Sequence, residues 1–305
     1  MTSSLVVVDR FAPEASRLRD AFDERFGDPK IPVPGRFVWD YWHVPGQYTA
    51  LRTPAYAYFP KRLYDAFHQR LVWWGRRTLG CHDVSPPWLS LYVEGCTQEW
   101  HGDVPHGPWA FVFSLTRWRG RRFSGGETVL LNEAVLEYWE HFHSDRGLEE
   151  PELVRDIAPE FNRLTVFDPR IPHRVRTVRG THDPREGRLV VHGWFMQPRP
   201  FIEGPLKTRA LEAQLPRITR ALTPWLEHGL RLSGMQSLDV RVRGDGRVSS
   251  VKVLADTLRV PAEDRAELGR LRRAVQRACH EFQFPRQARA SRITLPLVFE
   301  RVSST

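Results

Sequence analysis

Lysine is nearly absent from this sequence: Lys30, Lys61, Lys207 and Lys252 are the only four among 45 Lys and Arg. The net charge of +9 is therefore carried by arginine, and it is scattered along the chain rather than gathered into one stretch. Nucleic-acid binding draws on clustered phosphate contacts, so an even scatter argues against a nucleic acid as partner. Cysteine is also scarce. Cys81, Cys96 and Cys279 lie far apart with no C-x-x-C spacing, and any disulfide scheme leaves one unpaired, so reduced thiols are expected. No apolar run approaches the ~18 residues of a membrane span. The start, MTSSLVVVDRFAPE, has neither the basic leader nor the apolar length of a secretory signal. These absences lead to the expectation of a cytoplasmic protein with no membrane partner.

What is present suffices for more than one core. The chain has 305 residues, 41% of them hydrophobic and 27% charged, a length at which two domains are the ordinary expectation. Leu5 to Val8 reads as a buried strand, and Leu18, Phe22 and Phe26 recur at helical spacing after Pro13. Residues 28 to 56 are rich in Pro, Gly and aromatics and read as irregular structure with one or two short strands. Their Trp39, Tyr41 and Trp42 are expected in the core, because large aromatics gain most from burial. A helix is expected from about Pro60 to Thr78, with Leu63, Phe67, Leu71 and Trp74 on one face and Gly80 just past its end. After Ser85-Pro86-Pro87 the pattern becomes strand-like: Leu89 to Val93, Phe111 to Leu115, Thr128 to Leu131, Leu164 to Phe167 and Arg188 to Phe195. Many short strands separated by turns predict a sandwich or jelly roll with flanking helices. Glu133 to Asn162 interrupts them, as a lid or as a surface helix packing through Leu136, Tyr138 and Trp139. Beyond Pro205 a helical stretch to Gly229 leads to a hairpin around Gly244-Asp245-Gly246, a helix from about Ala262 to Phe282 and a last strand ITLPLVF. This is a small α+β unit of order β-β-α-β. The expected domains are 1–204 and 205–305.

The chemistry concentrates between Trp88 and Met196. His101-Gly102-Asp103 follows one strand pattern and precedes another, so a turn there can aim both side chains into one cavity. His143-Ser144-Asp145 has the same spacing but sits in the insert with no Gly-Gly turn between it and His173, and is rejected as a decoy. A metal needs a third ligand from a distant strand. His173 fits, with His106, His182 and His192 the other choices, His106 being too near His101 to close the site. Two imidazoles and a carboxylate are the ligand set of non-haem Fe(II) oxygenases. On the strand from Arg188, period two places Arg188, Val190, His192 and Trp194 on one face. If that face lines the barrel, Arg188 offers a planar fork to a carboxylate. If the register is inverted, Leu189 and Val191 face inward, and Arg185 is the next candidate for an anion.

A Tyr-bearing strand (Tyr92), His101-x-Asp103, Gly125-Gly126-Glu127, the segment F-D-x-R-x-P-H-x-V ending at Val175, then Arg188 and Trp194 six residues on, fall in order. Over residues 5 to 196 this resembles the prolyl-hydroxylase branch of the 2-oxoglutarate- and Fe(II)-dependent dioxygenases. The resemblance implies a double-stranded β-helix, with Fe(II), 2-oxoglutarate and O2 as cofactor and cosubstrates. It implies His101, Asp103 and His173 as iron ligands, Arg188 as the partner of the C5 carboxylate, and Tyr92 in the cosubstrate pocket. Ser114 is the candidate hydroxyl partner of the cosubstrate, and His192 and Trp194 share the face of Arg188. The inserted GTHDPRE loop makes the gap from His173 to Arg188 longer than the family's usual one. The implied reaction converts 2-oxoglutarate to succinate and carbon dioxide while hydroxylating a substrate. The substrate expected is a side chain of a peptide or protein, with a free amino acid or other small metabolite as the alternative and an inactive binding module as a third reading. The C-terminal unit resembles the C-terminal domain of TonB-type proteins, through G-D-G-R-V, the Cys279 helix, Phe284-Pro285 and the closing strand to Phe299. That resemblance implies a docking role for short peptides, against which stand homodimerisation or shielding of the barrel.

Overall fold

The computed structural model describes residues 4–28, 30, 38–103, 106–135 and 152–300. The helix expected through Leu136 to Trp139 and the decoy His143-Ser144-Asp145 lie outside them. In chain order the elements begin with β1 (Leu5–Val8), α1 (Ala15–Arg25), β2 (Asp40–Val44), β3 (Tyr48–Pro54) and α2 (Lys61–Thr78). Then come β4 (Cys81–Val84), β5 (Trp88–Tyr92), β6 (Thr97–His101), β7 (Trp109–Ser114) and β8 (Thr128–Leu131). The run continues with β9 (Val154–Ile157), β10 (Leu164–Phe167), β11 (His173–Val175) and β12 (Arg188–Pro198). The last elements are β13 (Phe201–Glu203), α3 (Leu215–Glu227), β14 (Gly234–Val242), β15 (Val248–Asp256), α4 (Arg265–His280) and β16 (Ser291–Phe299).

Contacts divide the chain into two compact units. One comprises Leu5–Val72 and Val84–Met196. Its antiparallel sheet runs β1-β10-β7-β12-β5-β3-β6-β11-β8-β9 and curls, as a jelly roll does. The fold-over occurs at β3, whose Leu51 to Pro54 pair with β5 while Tyr48 and Thr49 pair with β6. One strand thus belongs to both walls. On β12 the two faces are both covered, which is why its sequence does not alternate in polarity. Leu189, Val191 and Phe195 are buried on the side away from the cavity, while Arg188, Val190, His192 and Trp194 line it. The register is therefore the one that carries Arg188 inward. Phe67 of α2 packs on Phe113 of β7 with ring centroids 4.7 Å apart, and Leu63 and Leu71 are buried on the same helix face. Burying such side chains contributes about 1.5–3 kcal/mol each and fixes the helical layer. Asn162, in the left-handed region at φ 61, clasps the N-terminal segment: its amide accepts from Ala12 N at 2.8 Å and donates to Ala12 O at 2.9 Å.

Two expectations change here. Tyr41 is 66% exposed, and Trp39 and Trp42 are only half-buried, because β2 pairs with β3 alone and presents its other side to solvent. Within the insert, β9 extends the curled sheet by pairing with β8, Leu130 opposite Arg155. Its sequence, VRDI, is half charged, and as a terminal strand it has only one neighbour to satisfy.

The other unit gathers residues 197–300 with Trp73–Asp83. Its four-stranded antiparallel sheet has the order β13-β16-β14-β15. Leu238, Val240, Val242, Ile293 and Leu295 alternate along β14 and β16 and join Leu222 of α3 and Leu271 and Val275 of α4 in one core. The fully buried Asp256 is answered by a bidentate pair from Arg272, both contacts 2.9 Å, and by Gln236 at 2.8 Å. Ser237 Oγ donates to Leu79 O at 2.7 Å, which ties the 73–83 segment to this sheet. All three cysteines are free and buried, and no described helix is long and apolar enough to cross a membrane.

Candidate active site

Antiparallel pairing puts His101, the last residue of β6, directly opposite His173, the first of β11. Opposed residues on such a ladder stand close enough for their side chains to meet, and the two imidazole centroids are 4.2 Å apart. Gly102 carries the chain out of β6, and Asp103 N donates to Pro169 O at 2.9 Å, which returns the carboxylate to the imidazoles. Asp103 Oδ1 lies 3.5 Å from His101 Nε2, and Oδ2 lies 3.3 Å from His173 Nε2. The ligand-type atoms of the three residues fall within 4.8 Å of one another, and among the described residues no other group of three His, Cys, Asp or Glu does so.

The rings are held in one tautomer. His101 Nδ1 is 2.7 Å from Glu99 O and His173 Nδ1 is 2.9 Å from Ile171 O, so each Nδ1–H donates to a carbonyl and leaves the Nε2 lone pair free. Burial, then the neighbouring His173, holds the His101 imidazole below its ordinary pKa. For Asp103, burial opposes the charge, but the two imidazoles outweigh it and the carboxyl stays below the usual range. Imidazole Nε2 lone pairs beside an ionised carboxylate are what a divalent cation requires. The amide nitrogen of Gln98 sits 2.9 Å from His101 Nε2, on the same lone pair a metal would use, so binding a metal displaces it.

On the opposite wall β12 and β5 pair Arg188 with Tyr92, and the guanidinium lies 4.6 Å from the centre of the Tyr92 ring. Arg188 is 1% exposed. Its Nη2 donates to Thr128 Oγ1 at 3.1 Å, while Nε and Nη1 have no hydrogen-bond partner among the described residues. Two unmatched N–H groups on one buried cation cost several kcal/mol. They form a fork suited to a carboxylate. The Gly125-Gly126 turn makes room for this arrangement. A Cβ at Gly125 (φ +76) would stand 1.9 Å from Thr177 O, and one at Gly126 (φ +83) would stand 3.3 Å from the Arg188 side chain.

His192 lines the same cavity, about 190 Å³ in volume, with its Nε2 2.8 Å from Ser90 Oγ. Burial, with Arg188 and Arg52 nearby, pushes its pKa down to about 4. Trp194 lines the cavity and stacks on His106, ring centroids 4.5 Å apart. Ser114 does not reach the cavity: its hydroxyl donates to Pro159 O at 2.7 Å and accepts from Thr116 N, because β7 points it into a buried turn. The hydroxyl beside the fork belongs instead to Thr128. Sequence reading also missed Gln98 and Arg52, whose only cue was their place in strands that the register had not yet defined. His182 and Arg185, the reserve candidates, lie outside the cavity lining, and Arg185 pairs with Asp183 at 3.2 Å.

Residues 87–196 match the family model described as the 2OG-Fe(II) oxygenase superfamily. No curated protein sequence matches the chain. Among solved structures, a Pseudomonas putida prolyl-4-hydroxylase is similar at 19% identity, covering 64% of this chain and 92% of its own, with a TM-score of 0.40. A Trichoplax adhaerens prolyl hydroxylase, in complex with a hypoxia-inducible-factor peptide fragment, is 14% identical, covering 63% and 83%, at a TM-score of 0.39. HygX from Streptomyces hygroscopicus, with nickel and 2-oxoglutarate bound, is 12% identical, covering 63% and 82%, at 0.40. Residues 87–196 therefore carry the match to a 2OG-Fe(II) oxygenase domain, an enzyme domain whose family uses Fe(II), 2-oxoglutarate and O2.

Proposed function

We propose that this chain is a 2-oxoglutarate- and Fe(II)-dependent hydroxylase acting on a side chain of a peptide or protein, with His101, Asp103 and His173 as the iron ligands. The observation that carries it is the pairing of that triad with the buried, half-unmatched Arg188 in one cavity. When bound, iron and 2-oxoglutarate supply an oxidative decarboxylation to succinate and carbon dioxide, coupled to hydroxylation of a substrate C–H bond.

The chain's own residues do the rest. The Glu99 and Ile171 carbonyls fix His101 and His173 with Nε2 towards the shared centre. Asp103 brings the one negative charge. Arg188 holds the far carboxylate of the cosubstrate, oriented by Thr128 and by the face of Tyr92. His192 stays neutral near pH 7 and adds no second cation beside Arg188. Buried walls around the fork exclude water, which strengthens the charge-assisted bonds made there.

The peptide reading rests on the ordered motif set from Tyr92 to Trp194 and on the exposed aromatic Tyr41 on the β2–β3 hairpin, whose β3 also supplies the cavity-lining Arg52. The C-terminal unit, with β15 at an open sheet edge, enters this proposal as the docking element from residue 205 onward, in keeping with its resemblance to the TonB C-terminal domain. The test is succinate formation from 2-oxoglutarate with Fe(II), with and without candidate peptides, in wild type and in His101→Ala. Turnover that requires the metal and disappears in the variant supports the proposal. Absence of metal-dependent turnover in wild type under every condition refutes it.

A further inference from the structure

We propose that Arg52 is the recognition residue for a carboxylate on the primary substrate, so that the enzyme acts on an acidic peptide or side chain rather than a neutral one. The inference rests on the iron and cosubstrate assignment above.

Arg52 stands on the corner strand β3, opposite Ser90 of β5, and lines the cavity of the triad. Its guanidinium carbon lies 3.2 Å from the centre of the Trp42 ring and 4.8 Å from that of Trp88. Two indoles thus hold the planar group flat, which leaves its donor edge as the free part. That edge is not used by the protein. The Arg52 side chain has no ion pair or hydrogen bond among the described residues, and its Nε is buried without an acceptor. Asp40 faces it across the β2–β3 hairpin but is solvent-exposed and forms no ion pair with it. An immobilised, partly desolvated cation without a counter-ion costs free energy that a structural role would have offset with an acid.

The charges around the cavity give the sign of the missing group. The two positive charges of Fe(II) and the one on Arg188 are matched by the Asp103 carboxylate and the two carboxylates of 2-oxoglutarate. His192 is held neutral near pH 7 by burial and by the two arginines. Arg174, next to His173 on β11, also lines the cavity, with its guanidinium 5.0 Å from the Trp100 ring and its Nε buried without a hydrogen-bond partner among the described residues. Arg52 and Arg174 are thus both left without an acid among the described residues, and the missing group is an anion. A carboxylate answers the planar guanidinium of Arg52 with two coplanar oxygens in a fork of matching geometry.

The test uses the full chain with Fe(II) and 2-oxoglutarate under anaerobic conditions and reads binding by calorimetry. The probes are N-acetyl-aspartate and N-acetyl-glutamate, short peptides containing Asp or Glu, and the matched Asn and Gln compounds. Free aspartate and glutamate form a further arm. The expected result is binding of acidic members about 10- to 100-fold tighter than of their amides, the range of a charge-assisted hydrogen-bonded contact. Arg52→Gln should abolish that preference and Arg52→Lys should keep part of it, while the affinity for 2-oxoglutarate changes less than about twofold in either. Equal binding of acids and amides by wild type, or failure of every acidic member to bind, overturns the proposal. So does an Arg52→Gln variant that loses 2-oxoglutarate instead, since Arg52 would then belong to the cosubstrate. Preference for free amino acids over peptides keeps Arg52 as the carboxylate partner and replaces the peptide reading with the metabolite one. Wild type that forms no succinate under any condition removes the enzymatic reading alone, and the acid-against-amide comparison on Zn(II)-loaded protein then still decides the role of Arg52.

Discussion

Replacing Arg188 by Met should move stability and cosubstrate affinity in opposite directions. The substitution keeps much of the side-chain volume but removes the charge and its donors. Among the described residues Arg188 makes one hydrogen bond, to Thr128, and one cation–π contact, with Tyr92, and leaves Nε and Nη1 unmatched at 1% exposure. Each unmatched buried donor costs about 1–3 kcal/mol. The hydrogen bond returns about 0.5–1.5 kcal/mol, and the cation–π contact about 1–2 kcal/mol. The balance favours Arg188→Met by about 1–2 kcal/mol in the ligand-free state, readable as an increase in the urea midpoint with unchanged slope. Binding should respond the other way. A cosubstrate carboxylate buried without its cation loses about 3–5 kcal/mol, or roughly two to three and a half orders of magnitude in affinity. Calorimetry with metal-loaded protein reads this directly. A variant that is less stable by several kcal/mol and binds 2-oxoglutarate as wild type does would make Arg188 a structural cation, and the assignment of the fork would be wrong.

Two further outcomes follow from the same cavity. Gly125→Ala places a methyl group 1.9 Å from Thr177 O at a residue with φ +76; the strain and the clash together should cost at least about 3 kcal/mol, and a variant within 1 kcal/mol of wild type in urea denaturation would mean that this turn is not as tight as described. His192 has its folded pKa depressed to about 4 against about 6.5 in an unfolded chain. The unfolded state therefore binds more protons between those values, so stability is fully present above the unfolded pKa and falls as pH drops towards the folded one. Between about pH 7.5 and pH 5, metal-free wild type should lose about 2 kcal/mol relative to His192→Gln, which preserves a partner for Ser90 but cannot titrate. Parallel pH profiles for the two proteins would show that the ring is not held neutral by folding.

What could be read before the structure was known depended on whether a signal was local. Arg188, Val190, His192 and Trp194 share a face by period two alone, but whether that face points inward required the pairing of β12 with β5 and β7, since Leu189 and Val191 are equally buried. His101 and Asp103 were legible because two residues and a glycine define their turn. His173 was legible only as one of several histidines, until its pairing opposite His101 set it apart. The hydroxyl near the fork was misassigned to Ser114 because sequence gives a hydroxyl no direction; β7 turns it towards Pro159, and Thr128 fills the place. VRDI was read as part of a helical or lid insert because a terminal strand with one neighbour needs no alternating apolar face.

Arg52 illustrates the deeper limit. In a chain with 45 basic residues, one more arginine between Leu51 and Thr53 carries no information. Its significance is negative: most arginines of the barrel unit that are held in place have an acid, as Arg70 has Glu14, Arg163 has Asp9 and Arg176 has Asp156. Arg52 has two tryptophans and no acid. An absent counter-ion can be recognised only after every neighbour has been placed. The unpaired state of Arg52 therefore emerges only in tertiary structure, whereas His101, Asp103 and His173 stand out as candidate metal ligands from little more than the order of the residues.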